Sequence, residues 1–363
     1  MKPFRLLVFL LADAVAFQGN VAAQDTRPSA NVVVESLGNG VYAALRQEPL
    51  GHAVNGNSLF IVNDEDVVVV DAQFTRAATL ENISALRRLT GKPVSHVINT
   101  HWHDDHVAGN QVYQDTFPGV KFLAAPNTRS DLVAAGRPNR IGTHEHAPAI
   151  ADRFERLLKT GLGIDSLPVS PLEQQAVTSA LRIIRQYFAE KEGFREVLPD
   201  TIAANSTKLV RGGRVIELHW FGRGNTRGDL VVHLPVEHIV ATGDLLVAPI
   251  PFGFNSYPSE WLGVLDSVAA LSPGVIVPGH GRLMRDLAYL RTVQQMLEAA
   301  RTGTRAAVAQ GMSLEAAQRT VTLEEWRVRL AGEEKWLNTL FSQFFRKPVI
   351  ARLYEEAKNG TLK

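Results

Sequence analysis

Three histidines and two aspartates fall within six residues: His101-Trp102-His103-Asp104-Asp105-His106. In an extended segment, residues two apart point the same way. His101 and His103 can therefore grip one ion together, and a turn at Asp105-His106 would aim the next pair at a neighbouring position. Neutral imidazole and carboxylate suit zinc well, and iron or manganese acceptably. The bland alternative is a polar loop before a helix, in which Asp104 and Asp105 only cap the helix N-terminus. Three histidines so close together argue against it. The chain has no cysteine, so thiolate ligands, cysteine nucleophiles and disulfides are all excluded. Any metal must be held by nitrogen and oxygen.

The elements that must position this cluster can be read on either side of it. Val32–Glu35 and Val41–Leu45 flank Gly38-Asn39-Gly40, a hairpin signal. Ser58–Val62 and Val67–Val70 flank Asn63-Asp64-Glu65-Asp66 as a second hairpin. Four consecutive valines at 67–70 predict a strand buried on both faces. A helix is expected over 77–89, ended near Gly91-Lys92-Pro93, and a strand over 94–99 runs directly into the histidines. Residues 125–205 read as a mostly helical insertion. Within it, Ser170-Pro171-Leu172-Glu173 is a capping box with proline at the first helical position. Strands resume at 215–220, 230–234 and 238–242. A helix follows at 261–271, then a strand at 275–277. From Leu283 onward the spacing is helical. Strand-rich halves separated and closed by helices point to a layered α/β architecture.

His101-x-His103-x-Asp105-His106 after an apolar strand resembles the signature of the metallo-β-lactamase superfamily. Asp71, ending the valine strand, matches the first motif, whose aspartate supports the ligand loop. Thr242-Gly243-Asp244 matches the motif whose aspartate bridges two metals, and Pro278-Gly279-His280-Gly281 the one that supplies the last histidine. The resemblance extends along the chain to about residue 282. It implies a four-layered αββα sandwich with one or two Zn2+ ions at one edge of the sheets. It also implies hydrolysis of an amide or ester by a water held between metals, with zinc lowering that water's pKa to roughly 7. Asp105 and Asp244 would orient the nucleophile, with Asp105 the better candidate to carry its proton. One departure stands out. The segment Gly222-Arg223-Gly224-Asn225-Thr226-Arg227-Gly228-Asp229 has Asn225 where the family usually places histidine. The implied first metal position is then His101, His103 and Asn225, and the second Asp105, His106 and His280, with Asp244 shared. His219 and His233 are possible substitutes, although both fall in strand patterns that ordinary packing explains.

Substrate contacts are sought in loops. Gly51–Ser58 includes His52 and could overhang the metals. Pro249–Pro258 follows the bridging aspartate, with Phe252 and Phe254 as a pocket floor and Asn255 or Tyr257 as oxyanion donors. His144 and His146 are read in a polar loop of the insertion. Trp102 either covers the site or packs beside it.

Length, 363 residues, allows a domain at 24–282 and a helical extension at 283–363 packed on it. A formal net charge of +1 gives no bulk attraction to nucleic acid. Lys2 and Arg5, the apolar run to Phe17 and Val21-Ala22-Ala23 read as a signal peptide over 1–23. The run is shorter than the ~20 apolar residues that span a bilayer. The mature protein is thus expected in the periplasm or secreted, off the membrane, acting on a small-molecule substrate. A β-lactamase-like activity is favoured, because β-lactams act outside the inner membrane. A lactonase or thioester hydrolase is the rival within the class. An iron-dependent oxygen-using enzyme and a metal-poor binding protein are the rivals outside it.

Overall fold

The computed structural model describes residues 31–51, 54–163, 166–202 and 204–362. The expected signal peptide and His52 lie outside the described residues. The first sheet holds, in spatial order, β1 (Val32–Gly38), β2 (Val41–Arg46), β3 (Ser58–Val62), β4 (Val67–Val70), β5 (Val94–Ile98), β6 (Lys121–Ala124) and β7 (Asp200–Thr201). β1 to β4 form an antiparallel meander, and β4 to β7 are parallel. The second sheet runs β12 (Val275–His280), β11 (Ile239–Val247), β10 (Val231–Leu234), β9 (Arg214–His219), β8 (Ser206–Arg211). It is antiparallel except between β11 and β12. Gly38, Asn39 and Gly40 all take positive φ, which is what lets β1 turn tightly into β2.

The two sheets face each other through Val41, Ile61, Val68 and Ile98 on one side and Ile216, Leu218, Val232 and Ala241 on the other. Behind the first sheet, Phe60, Val69 and Val97 pack on Ile83 and Leu86 of helix Arg76–Leu89 and on Tyr113. Behind the second, Val231, Val240 and Ile276 pack on Trp261 and Leu265 of helix Pro258–Ala270. Val293 and Leu297 of helix Ala288–Ala309 join them. This is the αββα sandwich. Each fully buried large apolar side chain contributes roughly 1.5–3 kcal/mol. β4 is buried on both faces, as its valine run requires.

Several elements differ from the sequence expectation. β6 and β8 were not anticipated. β6 is four residues long, and β8 is an edge strand that stays half exposed along its length, so neither carries a strong apolar signal. The 125–205 stretch is helical at Arg137–Thr160 and Pro171–Ala189, but it ends in β7, which joins the first sheet. Ser170 does cap its helix, accepting from the Glu173 amide at 3.1 Å. His144 and His146 lie in helix Arg137–Thr160, not in a loop. Glu145 between them is exposed. No helix among the described residues is long and apolar enough to cross a membrane.

Candidate metal centre

The parallel pairing of β4 with β5 brings Asp71 and the loop after Ile98 to one sheet edge. Asp71 takes φ +60°, a conformation that aspartate tolerates better than most residues. Its carboxylate accepts from the Thr100 amide (2.7 Å) and from Thr100 Oγ (2.8 Å), and lies 2.8 Å from His106 Nδ1. Thr100 Oγ is also 3.0 Å from His101 Nδ1. The hydroxyl has one proton, and it goes to Asp71. His101 Nδ1–H therefore donates to Thr100, leaving the Nε2 lone pair free. The same logic leaves His106 Nε2 free. Asp71 thus sets the tautomers of both histidines, directly for His106 and through Thr100 for His101.

The free nitrogens converge. His101 Nε2 is 2.9 Å from His103 Nδ1 and 3.7 Å from Asp244 Oδ2. His106 Nε2 is 3.2 Å from Asp105 Oδ2 and 3.3 Å from Asp244 Oδ1. His280 Nε2 is 2.9 Å from Asp105 Oδ2 and 3.4 Å from Asp244 Oδ1. Two overlapping groups result: His101, His106 and Asp244, and Asp105, His106 and His280. His106, His101 and Asp244 are buried, and Asp105 and His103 keep partial exposure. The centre thus sits at an open edge.

Asp244 reaches this point because β11 breaks register against β12 on both sides of Gly243, and such bulges re-aim side chains. Gly279 permits the approach. A Cβ there would stand 2.0 Å from Asp244 Oδ1. Gly56 does the same for His106, where a Cβ would meet Cε1 at 2.9 Å. Asn57 ties this loop to the last motif through Nδ2 bonds to the carbonyls of Pro278 (3.1 Å) and Gly281 (2.9 Å). Thr100, Asn57 and Asp229 are site-building residues that sequence reasoning missed. Asp229 is buried and accepts from the Thr226 amide and hydroxyl at 2.8 and 2.9 Å, and burial pushes its carboxyl up to about 7. It shapes the turn that carries Asn225.

Electrostatics follow from the packing. Burial and the neighbouring imidazoles of His106 and His103 hold His101 well below the usual histidine range. Burial also disfavours a charge on His106, but Asp105, Asp71 and Asp244 outweigh it and hold His106 well above that range. His280 is raised too, Asp244 and Asp105 overcoming its burial. Burial would raise the carboxyls of Asp105 and Asp244, yet their histidine neighbours hold both well below the usual range. His106 Nε2, His280 Nε2, Asp244 Oδ1 and Asn225 Oδ1 are all buried without a hydrogen-bond partner. His106 Nε2, His280 Nε2 and Asp244 Oδ1, nitrogen and oxygen atoms held within 3.4 Å of one another or of a shared partner, are a donor set that fits a metal cation.

The remaining expected residues divide. Asn225 is buried, with Nδ2 donating to the Phe252 carbonyl at 2.6 Å and Oδ1 left unpaired. Phe252 lies with its ring 6.1 Å from that of His280, and Phe254 and Asn255 are exposed on the same loop. Tyr257 does not face that open side. It is buried against the guanidinium groups of Arg223 (4.2 Å) and Arg352 (5.0 Å). Its position just before helix Pro258–Ala270 turns it toward the C-terminal helices. His219 and His233 do not stand in for Asn225. They meet Glu217 at 3.2 and 3.0 Å instead. His144 stacks on Tyr187 at 4.4 Å, and His146 pairs with the Gly142 carbonyl. Trp102 packs beside the site, edge-on to His103 at 4.5 Å and against Val107 and Leu132. Asp104, a cap only in the bland alternative, is held by the Arg140 guanidinium and accepts from Tyr187 Oη at 2.9 Å.

Comparison with known proteins identifies the family. A linear primary-alkylsulfatase of Pseudomonas sp. (strain ATCC 19151) is 22% identical over 235 residues, covering 60% of this chain and 40% of that protein. The chain thus spans well under half of that relative's length. A type 2 metallo-β-lactamase of Bacillus cereus is 23% identical over 239 residues, covering 64% of this chain and 70% of that protein. The solved metallo-β-lactamase from Pontibacter korlensis superposes with a TM-score of 0.52 at 18% identity, over 74% of this chain and 99% of that one. The model of the family described as the metallo-β-lactamase superfamily matches residues 52–280. That stretch is more than half of the chain and contains all four motifs, so the protein belongs to the metallo-β-lactamase superfamily.

Proposed function

We propose that this protein is a zinc-dependent hydrolase that opens an amide or ester bond, with a β-lactam-like ring the favoured substrate and a lactone or thioester the next. The observation that carries this reading is the set of unpaired lone pairs: His106 Nε2, His280 Nε2 and Asp244 Oδ1, buried and mutually close. His101, His103, Asn225 and Asp244 would hold one cation, and Asp105, His106 and His280 the other. Zinc bound there supplies an acidified water and a Lewis acid for the carbonyl. The chain's own residues do the rest. Asp71 and Thr100 keep two imidazoles in one tautomer. Asp105 is ionised, partly exposed and beside His280, so it can take a proton from the attacking water and return it to the leaving group. The likeness to a protein named for alkyl sulfates supports a second reading, hydrolysis of an ester that carries an apolar group.

The test is a screen of chromogenic β-lactam, lactone, thioester and alkyl sulfate substrates run against a zinc titration. His103→Ala and Asp244→Ala should each lower turnover by at least ~100-fold and reduce bound zinc. Near-normal turnover in either variant, or under half an equivalent of zinc with no substrate consumed, would overturn the reading.

A further inference from the structure

Helix Lys335–Leu340 and the π-helical turn Phe341–Arg346 lie beyond the stretch that matches the family. They nevertheless touch Gly51 and the loop that follows Asp244. A Cβ on Gly51 would come within 2.7 Å of Leu337 Cδ2 and Leu340 Cδ1, so Gly51 rests on this helix. On the other side, the Gly253 amide donates to the Phe344 carbonyl at 2.9 Å. The Phe344 ring stands 5.5 Å from Phe252 and 5.1 Å from Phe254. Phe252 in turn approaches His280.

Phe254 is 44% exposed, and Phe252 and Phe344 are half-buried. A single exposed apolar side chain is ordinary. Three rings in mutual contact, one of them against a ligand histidine, make a formed apolar surface. Covering such side chains removes apolar area from water, which favours an occupant that covers the rings. Three rings are too little area for a stable dimer, which needs about 800 Å² per partner. Their continuity with His280 points instead to a molecule held at the centre.

We propose that Phe252, Phe254 and Phe344 form a wall that takes an alkyl or aryl substituent of the substrate on the His280 side. Phe344 is then a specificity-determining residue supplied by the C-terminal helices. This inference rests on the hydrolase reading.

Two zinc-binding thiols that differ by one benzyl group, mercaptoacetate and 2-mercapto-3-phenylpropionate, separate the two claims. Calorimetric titration of the zinc-loaded protein should show the benzyl compound binding about tenfold tighter, or 1.4 kcal/mol. In Phe344→Ala the ratio should fall to about 2 or less. If that variant misfolds, Phe254→Ala, at an exposed position, should show the same fall. Phe188→Ala, an exposed phenylalanine of the insertion, should keep the wild-type ratio. Equal affinities in the wild type, or a benzyl advantage that survives both Phe344→Ala and Phe254→Ala, overturn the wall alone. So does loss of a concentration-dependent dimer in Phe254→Asp, which would make the rings an interface. If neither thiol binds and no zinc is retained, the hydrolase reading fails and the wall with it.

Discussion

A buried imidazole nitrogen that faces a carboxylate oxygen needs a proton or a cation between them. His106 and His280 are both in that position, each against Asp105 and Asp244. Without a cation, protons must fill the gap, which is why both histidines are raised. Asn225 is the exception among the proposed ligands. An amide oxygen binds zinc through a weaker donor than imidazole, and its Nδ2 is already committed to Phe252. Asn225→His should therefore raise zinc stoichiometry, read by metal analysis after dialysis against a limiting chelator. Unchanged stoichiometry would mean that the first position was already full or that residue 225 is not a ligand.

At the scale of elements, the ligand loop is clamped from three sides. β4 and β5 fix where it begins, the β11 bulge brings Asp244 to it, and the helical insertion grips it through Asp104. The last clamp is a buried ion pair, with Arg140 and Asp104 exposing 6% and 7% of their side chains. Truncating one partner leaves a charge buried without its counterion. Arg140→Ala should cost about 3–5 kcal/mol, measured by urea unfolding. A loss below 1 kcal/mol would show that Tyr187 Oη alone satisfies Asp104, and that the insertion is not anchored there.

For the whole molecule, the C-terminal helices share a core with the second sheet. Phe341, Phe345, Val349 and Leu353 join Leu245, Trp261 and Val293 in one cluster. Phe345 is fully buried. Phe345→Ala should cost about 3–5 kcal/mol while unfolding stays a single transition by fluorescence and circular dichroism. Two separated transitions would mean that the helices after residue 283 are a domain apart.

Local chemistry was legible in the sequence. The histidine cluster stood out because its side chains fall within six residues, and Asp71, Asp244 and His280 because their motifs resemble those of the family. The hairpins and β4 stood out because turn residues and apolar runs are local signals. Edge strand β8, short β6 and the partners of Asp104 did not, since a half-exposed strand has no strong pattern and an ion pair between residues 36 apart leaves none. Sequence order alone likewise allowed Tyr257 to face the site and His144 to lie in a loop. Only tertiary packing decided both, by burying one ring between two guanidinium groups and stacking the other on Tyr187. Packing also brought Phe344 beside Phe252, 92 residues earlier by number, because burial in a shared core is indifferent to distance along the chain.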